Sequence, residues 1–107
     1  MVKIVIENLA KKTLLVNDIT LPVLRHLQEG AVDWMHACGG KGRCTTCKMI
    51  VVAGMNHFNE LTPAETIYRA KGLLALNERL ACQARISGDI AVCVSDEFKL
   101  PHLEYSF

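Results

Sequence analysis

Proline is scarce in this chain, with three residues in 107, and aromatic side chains make up only 6%. That composition excludes collagen-like and Pro-rich disordered polypeptides. Neither sign of charge dominates: 12 Lys+Arg stand against 11 Asp+Glu, a formal net charge of +1. No global field therefore draws the chain onto nucleic acid or an anionic membrane. Long apolar runs are absent too. The longest, Met49 to Met55, falls far short of the ~20 residues a spanning helix needs. Lys3 and Glu7 sit where a signal peptide requires unbroken apolar sequence. The expectation is a cytoplasmic, soluble monomer without nucleic-acid or membrane partners. No repeat, linker or low-complexity stretch divides it, so residues 1–107 are expected to form one domain.

Half of the residues are hydrophobic, enough for one core that hides roughly two-thirds of the unfolded surface. Cysteine is the residue in excess, at five. An odd number suits a complete disulfide framework poorly, and in a cytoplasmic chain metal or cluster binding is the better explanation.

Val2 to Glu7 alternate in polarity, and Thr13 to Asn17 resume a β-type run after Asn8, Lys11 and Lys12, which predicts an N-terminal hairpin. Thr20 is expected to cap a helix running from Pro22 to Glu29, with Gly30 as its left-handed stop. Lys48 to Ala53 predict a strand ending at Gly54. Thr62-Pro63-Ala64-Glu65 is a capping box that opens a helix which Gly72 can close. Arg79 to Ile86, the turn Ser87-Gly88-Asp89 and Ile90 to Val94 suggest a final hairpin. Ser95 to Phe107 show no clear period.

Between the first helix and the third strand lies Cys38-Gly-Gly-Lys-Gly-Arg-Cys44-Thr-Thr-Cys47. Its glycines exclude regular structure and allow backbone N–H groups to approach whatever the cysteines hold. Five residues separate the first two cysteines, two separate the next pair, and Cys82 follows 34 residues later.

This C-x5-C-x2-C…C spacing resembles that of the [2Fe-2S] ferredoxins, in the adrenodoxin-type and bacterial branch. Ala37 to Cys47 and Arg79 to Arg85 are similar to the family's two cluster-binding segments. Leu61 to Glu65 resemble related bacterial ferredoxin domains, some of them fused to cyclases. The resemblance implies an α+β fold of the β-grasp, ubiquitin-like type: a mixed sheet of four to five strands, a crossing helix and a cluster-binding loop. It implies a [2Fe-2S] cluster on Cys38, Cys44, Cys47 and Cys82, with Cys38 and Cys44 on the outer iron and Cys47 and Cys82 on the inner.

Thiolates are soft ligands suited to iron and sulfide. The assembled cluster carries a formal charge of about −2, which reduction increases, so backbone N–H groups must offset it. Lys41 and Arg43 are expected to raise the reduction potential. The cluster carries the chemistry, so no residue need serve as nucleophile, acid or base.

A structural zinc site made by the four cysteines is the weaker reading, because structural zinc generally takes two close cysteine pairs and this chain has one CxxC. Cys93, within Ile90 to Val94, is expected to be a small apolar core residue. His26, His36, His57 and His102 are expected to be ordinary polar residues; Met35, Met49, Met55 and Trp34 are expected to be packing residues. Lys48 stands where adrenodoxin-type ferredoxins usually carry histidine. Glu60, Glu65 and Glu78 intermix with Arg69, Lys71 and Arg79, so no acidic docking face is expected and partner rates should depend little on salt. The functional expectation is a one-electron carrier, not an enzyme, moving electrons from a ferredoxin reductase to an electron-accepting or biosynthetic enzyme through transient contacts. A redox-sensing module is the alternative.

Overall fold

Alternation near the N-terminus produces the predicted hairpin. In this computed structural model, which describes residues 2–30, 32, 34, 47–95, 99–101 and 103–106, β1 (Val2–Ile6) pairs antiparallel with β2 (Lys12–Val16). Register Ile4↔Leu14 and Val2↔Val16 puts the apolar positions of both strands on one face. Ile4 and Ile6 are fully buried there, and burial of such a side chain contributes about 1.5–3 kcal/mol. The turn uses Ala10 and Lys11 at φ 54° and 55°, a conformation unusual outside glycine.

Helix α1 (Val23–Glu29) buries Val23, Leu24 and Leu27 in the same core. Strand β3 (Lys48–Ala53) follows residues 35–46, which lie outside the described residues together with Cys38, Cys44, His36, Met35, Lys41 and Arg43. Helix α2 (Pro63–Ala70), the short β4 (Glu78–Leu80) and β5 (Ile90–Val94) complete the order. The five strands form one mixed sheet, β2-β1-β5-β3-β4, in which β1 and β5 are parallel and the remaining pairs antiparallel. This is the mixed sheet and helix arrangement of the expected β-grasp fold. β5 sits at its centre and is apolar throughout, as a strand covered on both faces requires.

Three local expectations need correction. The last two strands are not a hairpin: β4 and β5 lie on opposite sides of β3, and residues 81–89 cross between them. Thr20 does not cap α1; its hydroxyl and N–H donate to Asp18 Oδ1 and hold that carboxyl below its usual pKa range. Gly30 is not left-handed, with φ −83°. A Cβ there would lie 2.5 Å from Leu14 Cδ2, so a larger residue requires that side chain to shift.

At α2 the prediction holds. Thr62 Oγ1 accepts from the N–H of Glu65, the Glu65 carboxylate accepts from the N–H of Thr62, and Gly72 follows the helix at φ 74°. Gly54, also left-handed at φ 84°, leaves β3 where a Cβ would meet Asp89 O at 2.4 Å.

β1 and β5 stay joined beyond their last paired residues through a side chain. The buried Asn8 donates from Nδ2 to Val94 O at 3.0 Å and accepts the N–H of Val94 on Oδ1 at 2.9 Å, continuing the ladder as a backbone amide would. Near the C-terminus, Ser106 N–H donates to Asn8 O and Tyr105 packs on the core.

Candidate metal centre

Pairing of β3 with β4 brings two of the four predicted cysteines together. Lys48 faces Leu80, so Cys47, just before β3, meets Cys82, just after β4. Cys47 is fully buried and Cys82 nearly so. The N–H of Cys82 lies 3.5 Å from Cys47 Sγ, and Gln83 Nε2 lies 3.8 Å from Cys82 Sγ. Sulfurs supplied with N–H donors inside the protein suit thiolates, whose charge must be offset there.

The backbone around these thiols is held from several directions. Cys47 O accepts from Trp34 Nε1 at 3.0 Å and from Ala81 N–H at 3.2 Å, so Trp34 both fills the core, as expected, and braces the cysteine. α1 has no side-chain cap; its leading N–H groups donate instead to the turn that carries Cys82, Val23 to Ala84 O at 2.8 Å and Leu24 to Ala81 O at 2.9 Å. Those groups lack intrahelical partners in any helix.

From the other side comes an ion pair for which the sequence provided only a surface reading. Glu65 and Arg79 are buried and bonded at 2.7 Å (Nε to Oε2) and 2.9 Å (NH2 to Oε1). Glu65 Oε2 also accepts the N–H of Leu80 at 3.0 Å. Arg79 reaches Asn59 O and Oδ1 and stacks over Phe58. Burial pushes the Glu65 carboxyl up, but hydrogen bonds from Arg79, Leu80 and Thr62 and the guanidinium charge outweigh it and hold the pKa below the ordinary value. Glu78 too is drawn inward, to Lys48. Of the expected mixture, Glu65, Arg79 and Glu78 are thus in internal pairs, while Glu60 and Lys71 are exposed. The capping box signalled the position of Glu65; nothing local in sequence signalled its partner.

Cys93 pairs with Ile50 across β5 and β3 and is buried, while its neighbours Val92 and Val94 point to the main core. Met49 is fully buried in the core. His26 is a buried polar residue, with Nε2 unpartnered among the described residues. His57 Nδ1 meets Asp89 O at 2.6 Å. Among the described residues no three His, Cys, Asp or Glu side chains converge; Cys47 and Cys82 form a pair, and their two predicted companions lie outside those residues. No helix among the described residues is long and apolar enough to cross a membrane.

The β-grasp sheet thus brings a buried, amide-supplied thiol pair together at the start of β3 and the end of β4. Residues 6–87 match the 2Fe-2S iron-sulfur cluster binding domain. The chain belongs to this [2Fe-2S] ferredoxin family, its cofactor is a [2Fe-2S] cluster, and it is an electron carrier. It is similar to the 2Fe-2S ferredoxin-5 of Aquifex aeolicus, 35% identical over 72 residues that cover 62% of this chain and 70% of the other. The 2Fe-2S ferredoxin of Haemophilus influenzae is 32% identical over 82 residues, which cover 75% of this chain and 72% of that one. The solved ISC-like [2Fe-2S] ferredoxin of Pseudomonas putida superposes with a TM-score of 0.73 at 26% identity, covering 95% of this chain and 98% of that one.

Proposed function

We propose that Cys38, Cys44, Cys47 and Cys82 hold the cluster, and that the chain takes single electrons from a ferredoxin reductase and gives them to an oxidoreductase or biosynthetic acceptor. The observation that supports this best is the Cys82 N–H directed at Cys47 Sγ at 3.5 Å. Cysteines 35 residues apart in sequence are brought together beside an amide donor. When bound, the cluster supplies reversible one-electron redox chemistry. The protein's share is to fix the thiolates and supply N–H donors. Trp34, Ala81 and the N-terminus of α1 hold Cys47 and the Cys82 turn in place, which limits reorganisation when charge changes.

The test is the visible absorption of the anaerobically purified protein, before and after one equivalent of a one-electron reductant. A red-brown protein that partly bleaches and recovers in air, then reduces an acceptor when coupled to a ferredoxin reductase, is the expected result. A colourless protein with one zinc would leave the fold standing and overturn the carrier reading. A cluster that changes affinity for a partner without turnover would replace the shuttle by a sensor.

A further inference from the structure

Lys48 directly follows Cys47, and its side chain is only 8% exposed. A buried ammonium is costly unless it is paired and hydrogen-bonded, and here it is both. The register sets Lys48 opposite Leu80 and Ile50 opposite Glu78, which makes Lys48 and Glu78 diagonal neighbours on one face of the sheet. Lys48 Nζ lies 3.7 Å from Glu78 Oε2 and donates to Leu73 O at 3.4 Å. The other Glu78 oxygen, Oε1, accepts the N–H of Ala75 at 2.7 Å. Both charges are therefore pinned, and the Glu78 side chain is 13% exposed.

We propose that this internal ion pair sets the cluster's reduction potential, Lys48 raising it and Glu78 lowering it. The proposal rests on the reading of Cys47 and Cys82 as ligands. Reduction adds one electron from the external donor and leaves every bond in place, so the cluster becomes more negative by one unit and no proton need move. A fixed cation nearby favours that state and a fixed anion opposes it, and burial weakens the screening that salt imposes on surface charges. The cation is rooted one residue from Cys47, and the anion four residues before Cys82, one rung further along the β3–β4 ladder.

The experiment is a mediated redox titration of the cluster-loaded chain and of Lys48→Met, Lys48→Arg, Glu78→Gln and the Lys48→Met/Glu78→Gln double variant. Each is first matched to the parent by visible spectrum and iron content. Lys48→Met should shift the potential to more negative values and Glu78→Gln to more positive ones. Lys48→Arg should stay near the parent, and the double variant should lie between the two single ones. Loss of packing alone would move both single variants the same way, and that result, or unchanged potentials in loaded variants, would overturn the proposal. If Lys48→Met fails to load, Glu78→Gln and Lys48→Arg decide it. A parent chain without cluster absorption would instead refute the ligand reading, a result visible before any titration begins.

Discussion

The amide of Cys82 and the sulfur of Cys47 stand 3.5 Å apart, so the turn that carries one thiol supplies a donor to the other. Cys47→Ser and Cys82→Ser should consequently lose the visible absorption of the cluster or retain it only briefly in air. Cys93→Ser should keep the parent spectrum, because Cys93 faces Ile50 in the sheet. Bleaching confined to Cys93→Ser would reverse the assignment.

Glu65→Ala leaves the Arg79 guanidinium buried without its counter-charge. The expected loss is roughly 3–5 kcal/mol of unfolding free energy, the usual effect of breaking one side of a buried pair. Thr62→Ala, which removes only a cap, should cost about 1 kcal/mol. Urea unfolding of both variants gives the comparison, and equal losses would show that the pair contributes no more than the cap.

The depressed Glu65 pKa has a definite sign in acid. A carboxyl whose folded pKa lies below its unfolded value of about 4.3 contributes its full stability above that pH and loses it as the pH falls through the folded value. The stability difference between the parent and Glu65→Gln should be constant near neutrality and shrink below pH about 4. Urea titrations at several acidic pH values measure it; a difference that grows in acid would contradict the paired, ionised Glu65.

Asn8→Ala deprives both the N–H and the C=O of Val94 of their partner in a buried setting. With about 1 kcal/mol per hydrogen bond and a further penalty for unsatisfied buried groups, the loss should be about 2–3 kcal/mol. Faster amide exchange at Val94 in this variant would locate the damage.

The hairpin and α2 were legible in sequence because their signals are local: alternation in Val2 to Ile6, and four adjacent residues of a capping box. The cysteine spacing marked Cys47 and Cys82, which the structure places side by side. The position of β5 was not legible, since its parallel pairing with β1 joins Ile4 to Ile90 and leaves no short-range trace. The same holds for the charges. Glu65 and Arg79 looked like members of a mixed surface because their pairing depends on how α2 lies on β4. Gly30 suggests backbone freedom, but at φ −83° it uses none and lies instead close against the Leu14 side chain.

Helix α1 has no cap of its own and borrows the carbonyls of Ala81 and Ala84. During synthesis, α1 therefore leaves the ribosome long before the groups that finish its first turn, and β1 likewise awaits β5. A seven-residue helix is marginal alone in water. The hydrogen bonds that satisfy the start of α1 are the same ones that tie it to the Cys82 turn, so the helix and the setting of the thiol pair depend on each other.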